Sequence, residues 1–150
     1  MRFRFPLASV LSFRESVERR EELALKKILF EMARVRREIE QLDVELAAAQ
    51  RMREENLRRP IPAFHLQAMV RDADAVMERR RALVDSLAAL ERRRGEQLKM
   101  YQIAHRERRM LSNLLEQQRD EWEQEQARAQ QKIIDDLFAS RRQRGWREPR

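Results

Sequence analysis

Apolar residues recur along the first third of the chain at alternating steps of three and four positions. The series is Leu25, Ile28, Met32, Val35, Ile39, Leu42, Leu46 and Ala49, a heptad repeat sustained over more than three heptads. This spacing is typical of a helix that packs against a second helix along a narrow seam. Upstream, Val10, Val17 and Ala24 keep the seven-residue step in a shifted phase, which predicts a stutter between residues 24 and 28.

A second stripe with the same spacing follows later in the chain. Its members are Met69, Ala73, Val76, Arg80, Leu83, Leu87, Leu90, Arg94, Gln97, Tyr101, Ala104, Arg108, Leu111, Leu115 and Trp122. Three arginines therefore occupy seam positions, and the first stripe is flanked at seven-residue steps by Glu31, Glu38 and Glu45. If the chain folds back between the stripes, these glutamates meet Arg80 and Arg94 and specify the register. Alternatively, the arginines extend out of a loosely packed seam into solvent.

The stretch Arg59-Pro60-Ile61-Pro62 separates the two stripes. Proline lacks an amide proton and disfavours helical geometry in the residue before it, so Pro-x-Pro ends one helix and resets the chain before the next. The pattern predicts an all-α fold, a long two-helix antiparallel coiled-coil hairpin with an overhanging C-terminal helix. We expect one coiled-coil domain with helices at about residues 8–58 and 64–141, a turn at 59–63 and a basic tail at 142–150.

The two predicted helices differ in length. At 1.5 Å per residue they extend about 75 and 120 Å, so about 25 residues beyond Leu115 have no partner in their own chain. This overhang carries Trp122, Ala129, Ile133, Ile134, Leu137 and Phe138, and the N-terminal Phe3, Phe5 and Leu11 are expected at the same end. An unpaired apolar helix face indicates a site for a partner.

Composition narrows the possible functions. The 150 residues are 39% charged with a formal charge of +7, and the absence of cysteine excludes disulfides and thiolate metal sites. No apolar run approaches the roughly 20 residues of a membrane span, and the start lacks the apolar region of a signal peptide. These features predict a cytoplasmic protein, and the excess of arginine predicts acidic partners.

The sequence favours a binding protein over an enzyme. His65 and His105 stand alone without ligand spacing, the carboxylates follow helical charge patterns, and no glycine-rich phosphate loop is present, so we expect no catalytic residues, metal, cofactor or small-molecule substrate. Arginine runs such as 79–81 and 92–94 fan around a helix rather than forming one face, which makes nucleic acid an unlikely partner. Membrane binding by basic amphipathic ends is a further alternative, disfavoured because the polar faces mix both charge signs.

Both ends of the chain resemble the flagellar export protein FliJ family. The N-terminal motif is Phe3-Arg4-Phe5-Pro6-Leu7-Ala8-Ser9-Val10-Leu11-Ser12-Phe13-Arg14. The C-terminal motif is Gln131-Lys132-Ile133-Ile134-Asp135-Asp136-Leu137, followed by Ala139 and Arg141. It is similar to the family pattern Gln-Lys-x-Leu-Asp-Glu, with Ile134 in place of Leu and Asp136 in place of Glu. The length and the two-helix layout match as well.

The resemblance implies a cytoplasmic component of the flagellar type III export apparatus, peripheral at the inner membrane. FliJ-like proteins act as a central stalk in a hexameric export ATPase and also contact the export gate protein and export chaperones. The residues expected to bind partners are Phe3, Phe5, Leu11, Arg14, Trp122, Gln131, Lys132, Ile133, Ile134, Asp135, Asp136, Leu137, Phe138 and Arg141. The related injectisome stalk proteins and a generic coiled-coil adaptor that binds nucleic acid remain the alternatives.

Overall fold

The computed structural model describes residues 2–145 and contains two long helices that pack against each other, α1 (Ala8–Asn56) and α2 (Ala63–Gly145). No strand occurs in this part of the chain. The all-α helical hairpin expected from the two stripes is therefore confirmed. Neither helix contains an apolar stretch long enough to cross a membrane.

The helix ends differ slightly from those expected. The first helix ends at Asn56 rather than near residue 58, and the second continues to Gly145, so residues 142–145 of the expected basic tail are helical. Residues 146–150 of that tail lie outside the described part. Between the helices, Arg59 N donates to the Asn56 carbonyl at 3.1 Å, and the Pro62 carbonyl accepts from His65 N at 3.1 Å. The two prolines thus occupy the connection, as expected from their missing amide protons.

The contacts divide the chain into two compact units, which we call the turn unit (residues 18–103) and the terminal unit (residues 1–17 and 104–150). The core of the turn unit consists of buried Ile28, Met32, Val35 and Leu90. Ile39, Leu83 and Leu87 pack against this cluster. Each of these residues occupies a seam position of the two predicted stripes, so the heptad spacing identified the core.

Polar contacts in the turn unit show that the two helices run antiparallel. Arg80 of α2 binds Asp43 of α1, with Nε and Oδ1 2.6 Å apart. Further along, Arg36 and Glu91 approach within 3.7 Å, and the Gln97 amide donates to the Glu21 carboxylate at 2.6 Å. The residue number on α1 falls as the number on α2 rises, as expected when the chain reverses direction at the Pro pair.

The expected arginine–glutamate register layers are wrong. Arg80 pairs with Asp43 instead of Glu45, and this hydrogen bond and the attraction between the charges raise the pKa of Arg80 above its ordinary value. Arg94 is exposed and makes no ion pair within residues 2–145, and Glu38 pairs with Arg34 of its own helix. The side chain of Arg94 is long enough to leave the seam and reach solvent, whereas Arg80 finds a different carboxylate on α1.

The expected stutter in α1 is also absent. Seam positions continue upstream of Leu25 at the same three- and four-residue steps, and they are filled by Leu11, Arg14, Glu18 and Glu21. All four are buried or half-buried. Of the residues expected in a shifted phase, Val10 is exposed, and Val17 and Ala24 are half-buried beside this continuous seam. Polar side chains are accepted at these positions because α2 supplies partners. In the terminal unit Glu107 binds Arg14, and in the turn unit Gln97 binds Glu21.

Close to the turn, the seam of the turn unit is more open. From Asp43 to Ala89 no described residue is fully buried, and a groove of about 890 Å³ lies between the helices. Ala49 and Ala73 are among the residues that line it. Their short side chains leave space that leucine or isoleucine would fill, so this part of the seam contributes less burial than the cluster around Met32.

The most deeply buried seam residue provides a first test. Met32 is 1% exposed, so Met32→Ala removes packing atoms and leaves a cavity, which we expect to lower the free energy of unfolding by about 2–5 kcal/mol. Met52 is 62% exposed, and Met52→Ala should change the same quantity by less than about 0.5 kcal/mol. Urea unfolding followed by circular dichroism measures both; equal effects would show that Met32 is not a core residue.

Gly95 provides a second test. It lies inside α2 with a negative φ, and a Cβ built on it meets no atom within 4 Å. Gly95→Ala should therefore raise the free energy of unfolding by about 0.5–1 kcal/mol, because alanine loses less backbone entropy in a helix. Gly145→Ala, at the end of the same helix, is the control and should have a smaller effect. A destabilised Gly95→Ala protein would mean that the helix needs a bend here.

Candidate partner-binding site

All the residues expected to bind partners belong to the terminal unit. The extended N-terminal segment before α1 lies against α2, where the rings of Phe3 and Trp122 have centroids 6.0 Å apart at 52°. Phe3, Phe5 and Trp122 are each half-buried. Tilted aromatic pairs of this kind add to the free energy gained by burial. The N-terminal aromatic residues thus anchor their own chain on α2.

A small seam joins the first turns of α1 to α2. Leu11 is buried at 8% exposure, and Ala104 of α2 is buried as well. Beside them, the guanidinium of Arg14 forms an ion pair and hydrogen bond with the carboxylate of Glu107. Both side chains are only partly buried, and such pairs contribute modestly to stability. The pair therefore adds a specific polar contact between α1 and α2, while Leu11 and Ala104 supply the burial.

Beyond Trp122, α2 has almost no contact with the rest of the chain. Gln126 is half-buried, and every residue from 127 to 145 is exposed. Four large apolar residues lie in this stretch at steps of three and four: Ile133, Ile134, Leu137 and Phe138. These steps place them on one side of the helix. We call them the terminal apolar face, and nothing in the described chain covers it.

Polar residues surround the terminal apolar face. The side-chain amide of Gln131 donates to Asp135 one helical turn later, with Nε2 and Oδ1 2.9 Å apart. Lys132, Asp136 and Arg141 are exposed on the same helix. Both charge signs are therefore available beside the apolar residues, as in protein interfaces with an apolar centre and a polar rim.

The structure thus separates the expected binding residues into two groups. Leu11 is not available as an exposed contact because it is buried, and Phe3, Phe5, Arg14 and Trp122 already contact or lie against their own chain. The expected length of the unpaired segment is wrong for a related reason, since Phe3 supplies a partner for Trp122. The residues from Gln131 to Phe138, with Arg141, remain exposed.

Sequence reasoning missed two residues of the terminal unit. Glu107 is the partner of Arg14, and Gln118 is half-buried one seam step after Leu115. The heptad spacing contained the signal for Gln118, because the step from Leu115 to Trp122 is seven residues and position 118 divides it into three and four. Because Gln118 is polar, the spacing of apolar residues alone did not mark it.

The protein-family model of the flagellar FliJ protein matches residues 3–147, nearly the whole chain. The chain belongs to the FliJ family. No curated protein and no solved structure matches it.

Membership of the FliJ family supports a role associated with flagellar export, and a non-catalytic one. The match includes both terminal motifs, the N-terminal segment with Phe3 and the stretch from Gln131 to Leu137. The family resemblance seen in these two motifs is therefore confirmed.

The aromatic contact at the N-terminus gives a testable prediction. Phe3→Ala and Trp122→Ala should each destabilise the protein, and the double variant should lose less than the sum, with a coupling energy of about 0.5–1.5 kcal/mol. Phe13→Ala combined with Trp122→Ala is the control. Phe13 is exposed and contacts Arg14 rather than Trp122, so these two effects should add. Thermal unfolding of the single and double variants measures the coupling. Additive effects for Phe3 and Trp122 would contradict the contact.

Proposed function

We propose that the protein is the central stalk of the flagellar export ATPase, with the terminal apolar face bound inside the hexameric ring. The observation that carries this proposal is an exposed apolar helix face in the C-terminal motif of a FliJ family member. The protein promotes assembly of the ring and raises the rate of ATP hydrolysis without hydrolysing ATP itself.

Burial of the terminal apolar face supplies the free energy of binding. A half-exposed Leu or Ile side chain gains on the order of 1 kcal/mol or more when a partner covers it, because about 25 cal/mol is gained for each Å² removed from water. Phe138 is the most exposed of the four, followed by Ile133. The helix is already formed in the free protein, so binding requires little additional ordering.

Polar groups then orient the helix in the ring. Lys132 and Arg141 offer cations to acidic partners, while Asp135 and Asp136 accept hydrogen bonds from donors on the ring. The N-terminal group contributes indirectly. Phe3 and Arg14 hold the first turns of α1 against α2 and stiffen the base of the helix that enters the ring.

The proposal extends to the remaining partners of FliJ-like proteins. The protein links the ATPase ring to the export gate protein and to export chaperones, in the cytoplasm at the inner-membrane export apparatus. Exposed apolar residues away from the terminal apolar face, such as Val44 and Phe64 in the turn unit, offer surface for these contacts.

The test is the steady-state rate of ATP hydrolysis by the purified flagellar export ATPase, with and without this protein. The variant Ile133→Ser/Leu137→Ser should weaken stimulation more than tenfold in apparent affinity, since two apolar contacts are lost. Its own unfolding should change by less than about 0.5 kcal/mol, because both side chains are exposed. A truncation that removes residues 129–150 should abolish stimulation and leave the remaining chain helical by circular dichroism.

The matched control is Val44→Ser/Met52→Ser, which removes two equally exposed apolar residues from the turn unit. This variant should stimulate the ATPase as the intact protein does. Full stimulation by the Ile133/Leu137 variant would place the contact elsewhere. If the intact protein failed to bind the ATPase, the stalk proposal itself would be wrong.

A further inference from the structure

The side of α1 that points away from α2 carries positive charge and no negative charge over residues 19–37. A residue in the middle of a four-residue step of the seam points about 180° away from α2. Leu23, between the seam residues Glu21 and Leu25, is an example. The exposed residues around this line include six cations, which we call the basic face: Arg19, Arg20, Lys26, Lys27, Arg34 and Arg37. They extend over about 27 Å of helix within the turn unit.

The acidic residues of this segment are placed elsewhere. Glu18 and Glu21 fill the seam, and Glu22, Glu31 and Glu38 flank it; all except Glu31 are half-buried. Glu22 reaches Lys26 at 3.1 Å, Glu38 reaches Arg34 at 4.0 Å and Glu21 reaches Arg20 at 3.5 Å, which offsets part of the positive charge. Lys27 and Arg37 make no ion pair within residues 2–145, so cations remain available at the centre of the face.

Two large apolar side chains lie among these cations. Leu23 is 60% exposed and Phe30 is 67% exposed, and they stand seven residues apart, in line with Arg37. Lys26 and Lys27 lie between them along the helix. An apolar centre with lysine and arginine on both sides is the pattern of a helix that lies in the plane of a membrane interface.

The outer side of α2 in the same unit has no such segregation. Acidic Asp74, Glu78, Asp85 and Glu96 alternate with basic Arg81 and Arg92, and all are exposed. Within the turn unit, the positive surface thus belongs to α1 and does not follow from the overall charge of the chain.

We propose that the basic face of α1 binds the surface of a membrane that contains anionic phospholipids, with Leu23 and Phe30 inserted at the level of the headgroups. The cations complement lipid phosphates, and each contributes about fivefold to binding at a negative surface. A bilayer also offers an apolar region for Leu23 and Phe30. A nucleic acid backbone would leave them in water, and a single aromatic residue provides little stacking. This inference concerns a different surface from the ATPase contact and stands independently of it.

The test is co-flotation of the full chain with vesicles of phosphatidylcholine alone or with 30% phosphatidylglycerol. The intact protein should float with the anionic vesicles only. Lys27→Glu/Arg37→Glu should reduce binding more than tenfold, and Leu23→Ser/Phe30→Ser should reduce it to a similar extent. The matched control Arg92→Glu/Lys99→Glu makes the same change of charge on exposed residues of α2 and should retain binding within about threefold.

A fluorescent label attached to a single cysteine reports which surface contacts the lipid. The chain has no cysteine of its own, so an introduced cysteine is the only attachment site. Ala33 lies beside the basic face and Ala88 is exposed on α2, so Ala33→Cys and Ala88→Cys give matched single attachment sites. Anionic vesicles should shift the emission of an environment-sensitive label at 33 to the blue and leave a label at 88 unchanged.

Three results would overturn the proposal. Equal loss of binding in the α1 and α2 charge variants would show a general effect of net charge. An unshifted label at 33 in vesicle-bound protein would show that another surface contacts the lipid. Failure to float, combined with binding of a single-stranded DNA oligonucleotide that Lys27→Glu/Arg37→Glu abolishes, would assign the face to nucleic acid instead.

Discussion

Burial along the seam between α1 and α2 is the interaction on which the rest of the structure depends. The two helices form a single seam with no second layer against which to bury apolar residues, so the cluster of Ile28, Met32, Val35 and Leu90 provides the main core of the turn unit. Isolated salt bridges such as Arg36–Glu91 are exposed and add little. Because the seam is narrow, most other side chains face water or a partner. Function in such a protein is therefore indicated by exposed faces that are unusually apolar or carry charges of one sign.

The heptad spacing of the sequence was sufficient to predict the fold, the turn at the Pro pair and most of the core. The prediction of the seam was wrong where apolar residues were assigned to it without regard to their position in the heptad repeat. Arg14, Glu18 and Glu21 occupy seam positions, and their neighbour Val10 is exposed. A seam position is defined by the period of the two helices, and a polar side chain is accepted there if the opposite helix supplies a hydrogen-bond partner. Those partners, Glu107 and Gln97, are distant in sequence and are identified only when the helices are paired.

The candidate binding site was predictable in part for the same reason. Helix length alone indicated that the last part of α2 lacks a partner, and residues 127–145 are exposed as expected. The contact between Phe3 and Trp122 was not predictable, because the segment before α1 is extended and has no period to follow. The basic face of α1 was missed because runs of consecutive arginines attract attention and are spread around a helix. Charges that share a helix face are three, four or seven residues apart. They can be recognised as one face once the buried side of the helix is known.

The central claim is that α2 beyond Gln126 is a formed helix left open for a partner, while the seam is closed within the chain. Hydrogen–deuterium exchange of the backbone amides, followed by mass spectrometry with and without the purified flagellar export ATPase, tests it most directly. In the free protein, amides around Met32 and Leu90 should exchange slowly and those of residues 127–145 quickly, because unpaired helix ends open at little cost. Addition of the ATPase should slow exchange mainly in residues 127–145. Slow exchange of this segment in the free protein, or protection by the ATPase confined to the turn unit, would contradict the account.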